Sequence, residues 1–269
     1  MVEISSLDDQ RLAAYRFLPQ RSGRLSPGDC TIVESEMVVR RLLQYPWSSG
    51  YIESALLESN AAERLAPRLM AHGVMSDRIF VAPKSLVEQI VGYPLHRGVF
   101  VAMRVPPQPA LQSLPLPAVM TVGVSSATNI GSIARSAAAF GFRTLICDAQ
   151  SASPWLRRCL RVSMGAMFQL VLYHAHEPTE QLFEQLRRCG ARLVGAEVSA
   201  PHLYSSFEWS ERDIIVFGSE GSGLDAAFLQ RLDAAVRIPM NSSVESLNVA
   251  AAAAIIFARF AERRGIFAE

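Results

Sequence analysis

The stretch IPMNSSVESLN, residues 238–248, carries more polar groups than the helix it introduces can use. One Ser, Thr, Asp or Asn suffices to cap a helix N-terminus, and Ser246 is placed to do so ahead of the apolar run that begins at Ala250. The remaining serines and asparagines, beside Pro239, Met240 and Leu247, point to a ligand as well as a helix. A second stretch, FGSEGSG, sets Gly218, Gly221 and Gly223 around Glu220. Such a loop turns backbone N–H groups toward a ligand, while its carboxylate disfavours phosphate and suits a cation or a set of donors. It lacks the Lys-Ser/Thr of a P-loop and the G-x-G-x-x-G spacing of dinucleotide binders. In a third, ATNIGSIARSAAAFG, Asn129 can cap a helix and Gly131 permits close backbone approach. There Arg135 stands among Ser132, Ser136 and Ala139, opposite Ile133, Ala134, Ala137 and Ala138.

All three stretches follow strand patterns: AVMTVGVSS, DIIVFGSE and AVRIPM. With RTLICDA, MFQLVLYHA and ARLVGAEV they form a series separated by helical patterns, the signature of a parallel, doubly wound sheet with helices on both faces. Ligands bind such sheets outside the carboxyl ends of the strands, where the three stretches lie. Residues 105–117, VPPQPALQSLPLP, hold five prolines and exclude a helix or a central strand. This segment reads as a linker. Ahead of it, residues 1–28 read as a helical arm and 29–104 as a small α/β domain with strands TIVES, YIESALLE, RIFVAP and GVFVAMR. Residues 118–269 form the larger domain.

Taken together, N-x-G-x-x-x-R-x-A, F-G-S-E-G-x-G and I-P-M-x-x-x-x-E-S-L-N-V before a small-residue helix resemble the SpoU (TrmH-like) family of the SPOUT superfamily. The resemblance runs from residue 118 to about 264. IVESEMVVRRLL and HRGVFVAM resemble the small RNA-substrate-binding domain that many members carry. It implies an S-adenosyl-L-methionine-dependent methyltransferase acting on a ribose 2′-hydroxyl in structured rRNA or tRNA, with a C-terminal trefoil knot that holds the methyl donor. By the same resemblance, Gly218, Ile238, Met240, Leu247 and Asn248 contact the donor, and Arg135, Asn129, Glu220, Ser246 and Asn248 form the catalytic set. A guanidinium, with a pKa above about 12, is a poor proton acceptor at neutral pH. Arg135 is therefore expected to clamp a phosphate and stabilise developing alkoxide charge, oriented by Glu220 and Asn129. SPWLRRCLRVSMGA matches a family segment ending in R-x-S-x-G-A and offers Arg157, Arg158 and Arg161 to RNA phosphates. The last helix is apolar on several faces, more than one packing surface needs. In relatives the surplus meets a second subunit, so a homodimer is expected; the alternative is that the first domain covers it. The chain departs from the family at Ser126-Ala127, where relatives often carry Asp-Pro, at Ser242 for Gly, and at Ala250 for Ser.

Bulk composition narrows the partners little. Net charge is +1, and Lys84 is the sole lysine among 26 basic residues. Cys30, Cys147, Cys159 and Cys189 show no CxxC spacing and read as reduced thiols. His174 and His176 share a strand end but lack a third ligand nearby, so no metal is expected. No apolar run reaches the roughly 18 residues of a membrane span, and MVEISSLDDQ lacks the features of a signal peptide, which makes the cytoplasm the expected compartment. The rival from another class is a non-catalytic RNA-binding or ribosome-assembly factor that retains the fold. A nucleotide-dependent oxidoreductase would need an acidic residue about 20 positions after a glycine fingerprint, and ATNIG offers no such fingerprint.

Overall fold

The computed structural model describes residues 1–16, 24–95, 98–221 and 223–266. His96 and Arg97, within the motif HRGVFVAM, lie outside the described residues. In chain order the elements are β1 (Val2–Glu3), β2 (Cys30–Glu34), α1 (Glu36–Leu42), β3 (Ile52–Glu58), α2 (Ser59–Ala71), β4 (Ile79–Ala82), α3 (Lys84–Val91) and β5 (Val99–Arg104). There follow β6 (Ala118–Thr121), α4 (Ala127–Ala139), β7 (Thr144–Cys147), α5 (Arg157–Val162), β8 (Val171–His174) and α6 (Thr179–Arg188). The chain ends with β9 (Arg192–Ala196), β10 (His202–Leu203), β11 (Asp213–Phe217), α7 (Ala226–Leu229), β12 (Ala234–Arg237) and α8 (Val249–Arg263). No described helix is long and apolar enough to cross a membrane.

Two compact units contain these elements: Met1–Pro107 with Trp155–Phe168, and Gln108–Pro154 with Gln169–Glu269. The first unit holds a five-stranded mixed sheet, ordered β1-β4-β3-β5-β2. The segment whose pattern suggested a helical arm adds an edge strand, β1, and a 3-10 turn over Gln10–Tyr15. Leu12 and Tyr15 are fully buried there, and the Tyr15 hydroxyl lies 2.7 Å from Ser54 Oγ. Apolar spacing too short for an amphipathic helix still anchors a turn when a core receives it. Trp155–Phe168 joins this unit through long-range contacts: Thr31 Oγ1 donates to the Trp155 carbonyl at 2.6 Å, and Cys159, Leu160 and Met167 are fully buried.

The second unit holds a seven-stranded sheet, ordered β10-β12-β9-β11-β6-β7-β8, with every pair parallel. β6, β7 and β11 are buried at every position, as strands covered on both faces must be. Alternate residues serve opposite faces. Met120, Ile146, Ile214 and Val216 pack with Leu182, Phe183 and Leu186 of α6. On the opposite face, the Phe217 ring stands 5.6 Å from that of Phe257 on α8. Phe142 adds ring contacts to Phe257 at 4.5 Å and Phe260 at 4.8 Å, which hold α8 down and fix the height of the loop that precedes it.

Candidate cofactor and active site

The carboxyl end of β11 turns into a closed loop. Ser219 and Gly223 exchange backbone hydrogen bonds at 3.1 Å in both directions, an isolated antiparallel bridge. Gly223 adopts φ +66°, a conformation that side chains strain to reach. At Gly218 a Cβ would stand 2.2 Å from the Gly223 carbonyl carbon and 2.4 Å from the Leu224 nitrogen. Only glycine permits this closure. It brings Glu220 to the tip of the loop, exposed to solvent.

At the start of α8 the cap differs from the one the sequence pattern suggests. Asn248, not Ser246, is the cap, and its Oδ1 accepts from Ala250 N at 3.0 Å and Ala251 N at 3.3 Å. Ser246 is thereby left to the loop. A parallel shift occurs at α4, where Ser126 caps the helix by accepting from Asn129 N at 3.3 Å. The helix begins before Asn129, and the Asn129 side chain is released. These two shifts have one consequence. With its oxygen committed to the cap, Asn248 must present its amide nitrogen, and Nδ2 donates to Asn129 Oδ1 at 3.2 Å. Asn129 must then present its own nitrogen outward, and it donates to Glu220 Oε1 at 2.7 Å. The helix cap thus sets the polarity of the whole relay. Among the described residues Glu220 Oε2 has no hydrogen-bond partner.

Beside this relay lies a cavity of about 450 Å³ at the carboxyl ends of β9, β11 and β12, closed by the N-terminal turns of α8. Its apolar wall includes Phe217, Val236, Ile238, Met240, Leu247 and Ile256; Glu197, Glu220 and Glu245 supply carboxylates, and no Lys or Arg lines it. Gly218, Ser246 and Asn248 also line the cavity. Asn129 reaches it through its two hydrogen bonds. Glu245 is the acidic position of the motif I-P-M-x-x-x-x-E-S-L-N-V, to which the sequence reading gave no role. Glu197 is an addition that no motif singles out, although it directly follows β9, a position the strand-end rule covers.

Arg135 is elsewhere. It sits exposed on α4, six residues beyond Asn129, does not line the cavity, and makes no hydrogen bond or ion pair with the described residues. The three clustered arginines belong to the first unit. Arg157 pairs with Glu34 at 2.5 Å and donates to the Tyr93 hydroxyl at 2.8 Å, while Arg161 approaches Glu34 at 3.1 Å. Burial, and then the Glu34 charge, push the Tyr93 phenol well above its usual pKa. Glu34 is only 7% exposed, so Arg157 serves to neutralise a buried carboxylate, and a phosphate would have to compete for it. Arg161, 57% exposed, keeps more of its surface free. Among the described residues no cluster of His, Cys, Asp or Glu is placed to hold a metal ion.

Comparison with known proteins bears on this arrangement. Residues 117–258 match the model of the SpoU rRNA Methylase family. An uncharacterized tRNA/rRNA methyltransferase of Mycobacterium bovis is 32% identical over 267 residues, covering 95% of this chain and 90% of the relative. The chain belongs to the SpoU family. Among solved structures, the SpoU methyltransferase AviRb from Streptomyces viridochromogenes is 26% identical, with a TM-score of 0.73 over 87% of this chain and 90% of that one. An rRNA methyltransferase from Sinorhizobium meliloti, solved with AdoMet bound, shares the fold with a TM-score of 0.78 at 21% identity, covering 97% of each chain. As a SpoU protein the chain keeps its departure at Ser126 without losing the helix start, since the serine hydroxyl supplies the cap. Its architecture is that of the SPOUT methyltransferases.

Proposed function

We propose that this SpoU protein transfers a methyl group from S-adenosylmethionine to a ribose 2′-hydroxyl of a structured rRNA or tRNA. The observation that carries the reading is the cavity, which is apolar in its wall, bears three carboxylates and has no basic side chain. That chemistry rejects a phosphate-bearing cofactor and fits one with a flat apolar base and a net positive charge. Its volume lies within the range of roughly 300–1,000 Å³ usual for small-molecule sites. When bound, S-adenosylmethionine supplies an electrophilic methyl group on a positively charged sulfur.

The protein's own residues have three tasks. Gly218, Ile238, Met240, Leu247 and Asn248 hold the donor, the glycine because backbone can approach where a side chain cannot. Asn248 and Asn129 fix Glu220, whose second oxygen is open to a donor on the ligand or the ribose, with Ser246 beside it. Arg135 stabilises the negative charge that grows on the attacking ribose oxygen, for which it is available because it makes no ion pair among the described residues. RNA phosphates reach Arg158 and the exposed part of Arg161. The trefoil passage implied by family resemblance is part of this reading, supported by the convergence of residues 218–221 with Ile238, Met240 and residues 245–248 on one cavity. A homodimer is supported by Ala251, Ile255 and Ala258, an exposed apolar stripe at helical spacing on α8.

Calorimetric titration with S-adenosylmethionine and its demethylated product tests the donor. Binding of neither removes the enzymatic reading and leaves an RNA-binding factor. Mapping ribose methylation in RNA from cells with and without the gene tests the acceptor; a lost methyl group on a base rather than a ribose would refute the 2′-hydroxyl.

A further inference from the structure

Three tryptophans occur in the chain, and two are used as core: Trp155 is 9% exposed and Trp209 8%. Trp47 is 39% exposed. It lies in a 3-10 turn over Pro46–Gly50 of the first unit, between α1 and β3. Three rings hold it: Tyr45 at 6.4 Å, Tyr51 at 6.2 Å and the buried Phe168 at 6.3 Å. Its indole N–H donates to no acceptor among the described residues. A large aromatic group held rigid in water is costly in solvation but cheap to bind, because little side-chain entropy remains to be lost.

A shallow groove lies against the same turn. Pro46, Ser49 and Gly50 line one part, and Arg40, Gln44 and Arg68 another; Leu43, Ala71 and His72 are common to both. The parts measure about 430 and 490 Å³. The groove is a stable feature, because His72 Nε2 lies 2.7 Å from Ser48 Oγ, a fully buried group. Arg40 is engaged by Glu36 at 2.6 Å, whereas Arg68 is exposed and makes no ion pair among the described residues. No Asp or Glu lines either part. We infer that this surface seats single-stranded RNA, with a base stacked on Trp47 and the backbone passing Arg68. The combination of a rigid exposed ring, a free cation and an absence of carboxylates selects a polyanion with accessible π-faces. A duplex would not serve, since its bases are already stacked. The inference rests on the RNA-directed reading above but uses none of the residues of the cofactor cavity.

The test uses the full chain and a dye-labelled twelve-nucleotide oligoadenylate, read by polarisation and by tryptophan emission. Wild-type emission should be quenched on binding. Trp47→Phe should bind within about threefold of wild type without the quench, since the other two indoles are buried. Trp47→Ala should bind about tenfold more weakly, the lower part of the range for loss of one stacked base. Arg68→Gln should lower the slope of log affinity against log salt by about 0.7, one phosphate on a single strand. Unchanged affinity in Trp47→Ala, or unquenched emission in the wild type, overturns the inference. Circular-dichroism melts that match wild type report folding of the first unit in each variant, and calorimetry with S-adenosylmethionine separates the two readings. A donor that binds while RNA ignores Trp47 refutes this seat alone, whereas a donor that fails to bind the wild type refutes the methyltransferase reading.

Discussion

Replacing Asn129 with Asp tests the relay with a change of little more than one atom. In the wild type, Asn129 Nδ2 donates to Glu220 Oε1 at 2.7 Å, and its oxygen accepts from Asn248 at 3.2 Å. Asp keeps the acceptor and loses the donor, so two carboxylate oxygens face each other where a hydrogen bond stood. A hydrogen bond to a charged group contributes about 1.5–3 kcal/mol, which corresponds to a loss of roughly 10- to 150-fold in any step that needs Glu220 in place. Like charges at that distance raise the pKa of one member of the pair. Below that raised pKa the protonated Asp donates to Glu220 as the amide did; as pH rises through it, the donor is lost and the deficit grows. The variant should therefore approach wild type near pH 5 and fall well behind at pH 8, and Asn129→Ala should show a deficit without the pH dependence. The assays are calorimetry with S-adenosylmethionine across pH and transfer of a labelled methyl group to RNA from cells lacking the gene. Wild-type behaviour at pH 8, or a deficit that does not change with pH, would show that the Asn248–Asn129–Glu220 chain does not position the carboxylate.

The remaining predictions address the other parts of the site. Gly218→Ala, whose Cβ would stand 2.2 Å from backbone, should open the Ser219–Gly223 bridge and weaken donor binding by at least tenfold in calorimetry; near-wild-type affinity would mean that the loop relaxes without cost. Arg135→Ala should cut turnover strongly and leave donor affinity nearly unchanged, because Arg135 lies outside the cavity, and Arg135→Lys should restore only part of the rate. Full turnover by Arg135→Ala on cognate RNA would remove it from the mechanism. Ile255→Arg on the exposed stripe of α8 should convert a dimer to a monomer in light scattering; a wild-type monomer at micromolar concentration would end the dimer reading.

Periodicity and local chemistry carry the fold of the second unit, because each strand, helix and turn there is specified by residues near one another in sequence. The fully apolar strands demand cover on both faces, and alternation with helices demands a parallel sheet. The three motifs likewise lie at strand ends, and their order and spacing are enough to identify the family. What sequence alone did not decide depends on distance along the chain. Motif spacing points to Asn129 and Ser246 as caps, yet Ser126 and Asn248 take those places, because a helix can begin wherever the neighbouring backbone allows. That choice frees Asn129 and orients it toward Glu220, 91 positions away. The same holds for Arg157, which the family resemblance offers to RNA phosphates and which tertiary structure pairs with Glu34 at 123 residues' separation. Side-chain type is written in the sequence; which partner a polar group meets is decided only when packing brings distant segments together, since a buried or half-buried charge takes the nearest partner that offsets its lost hydration.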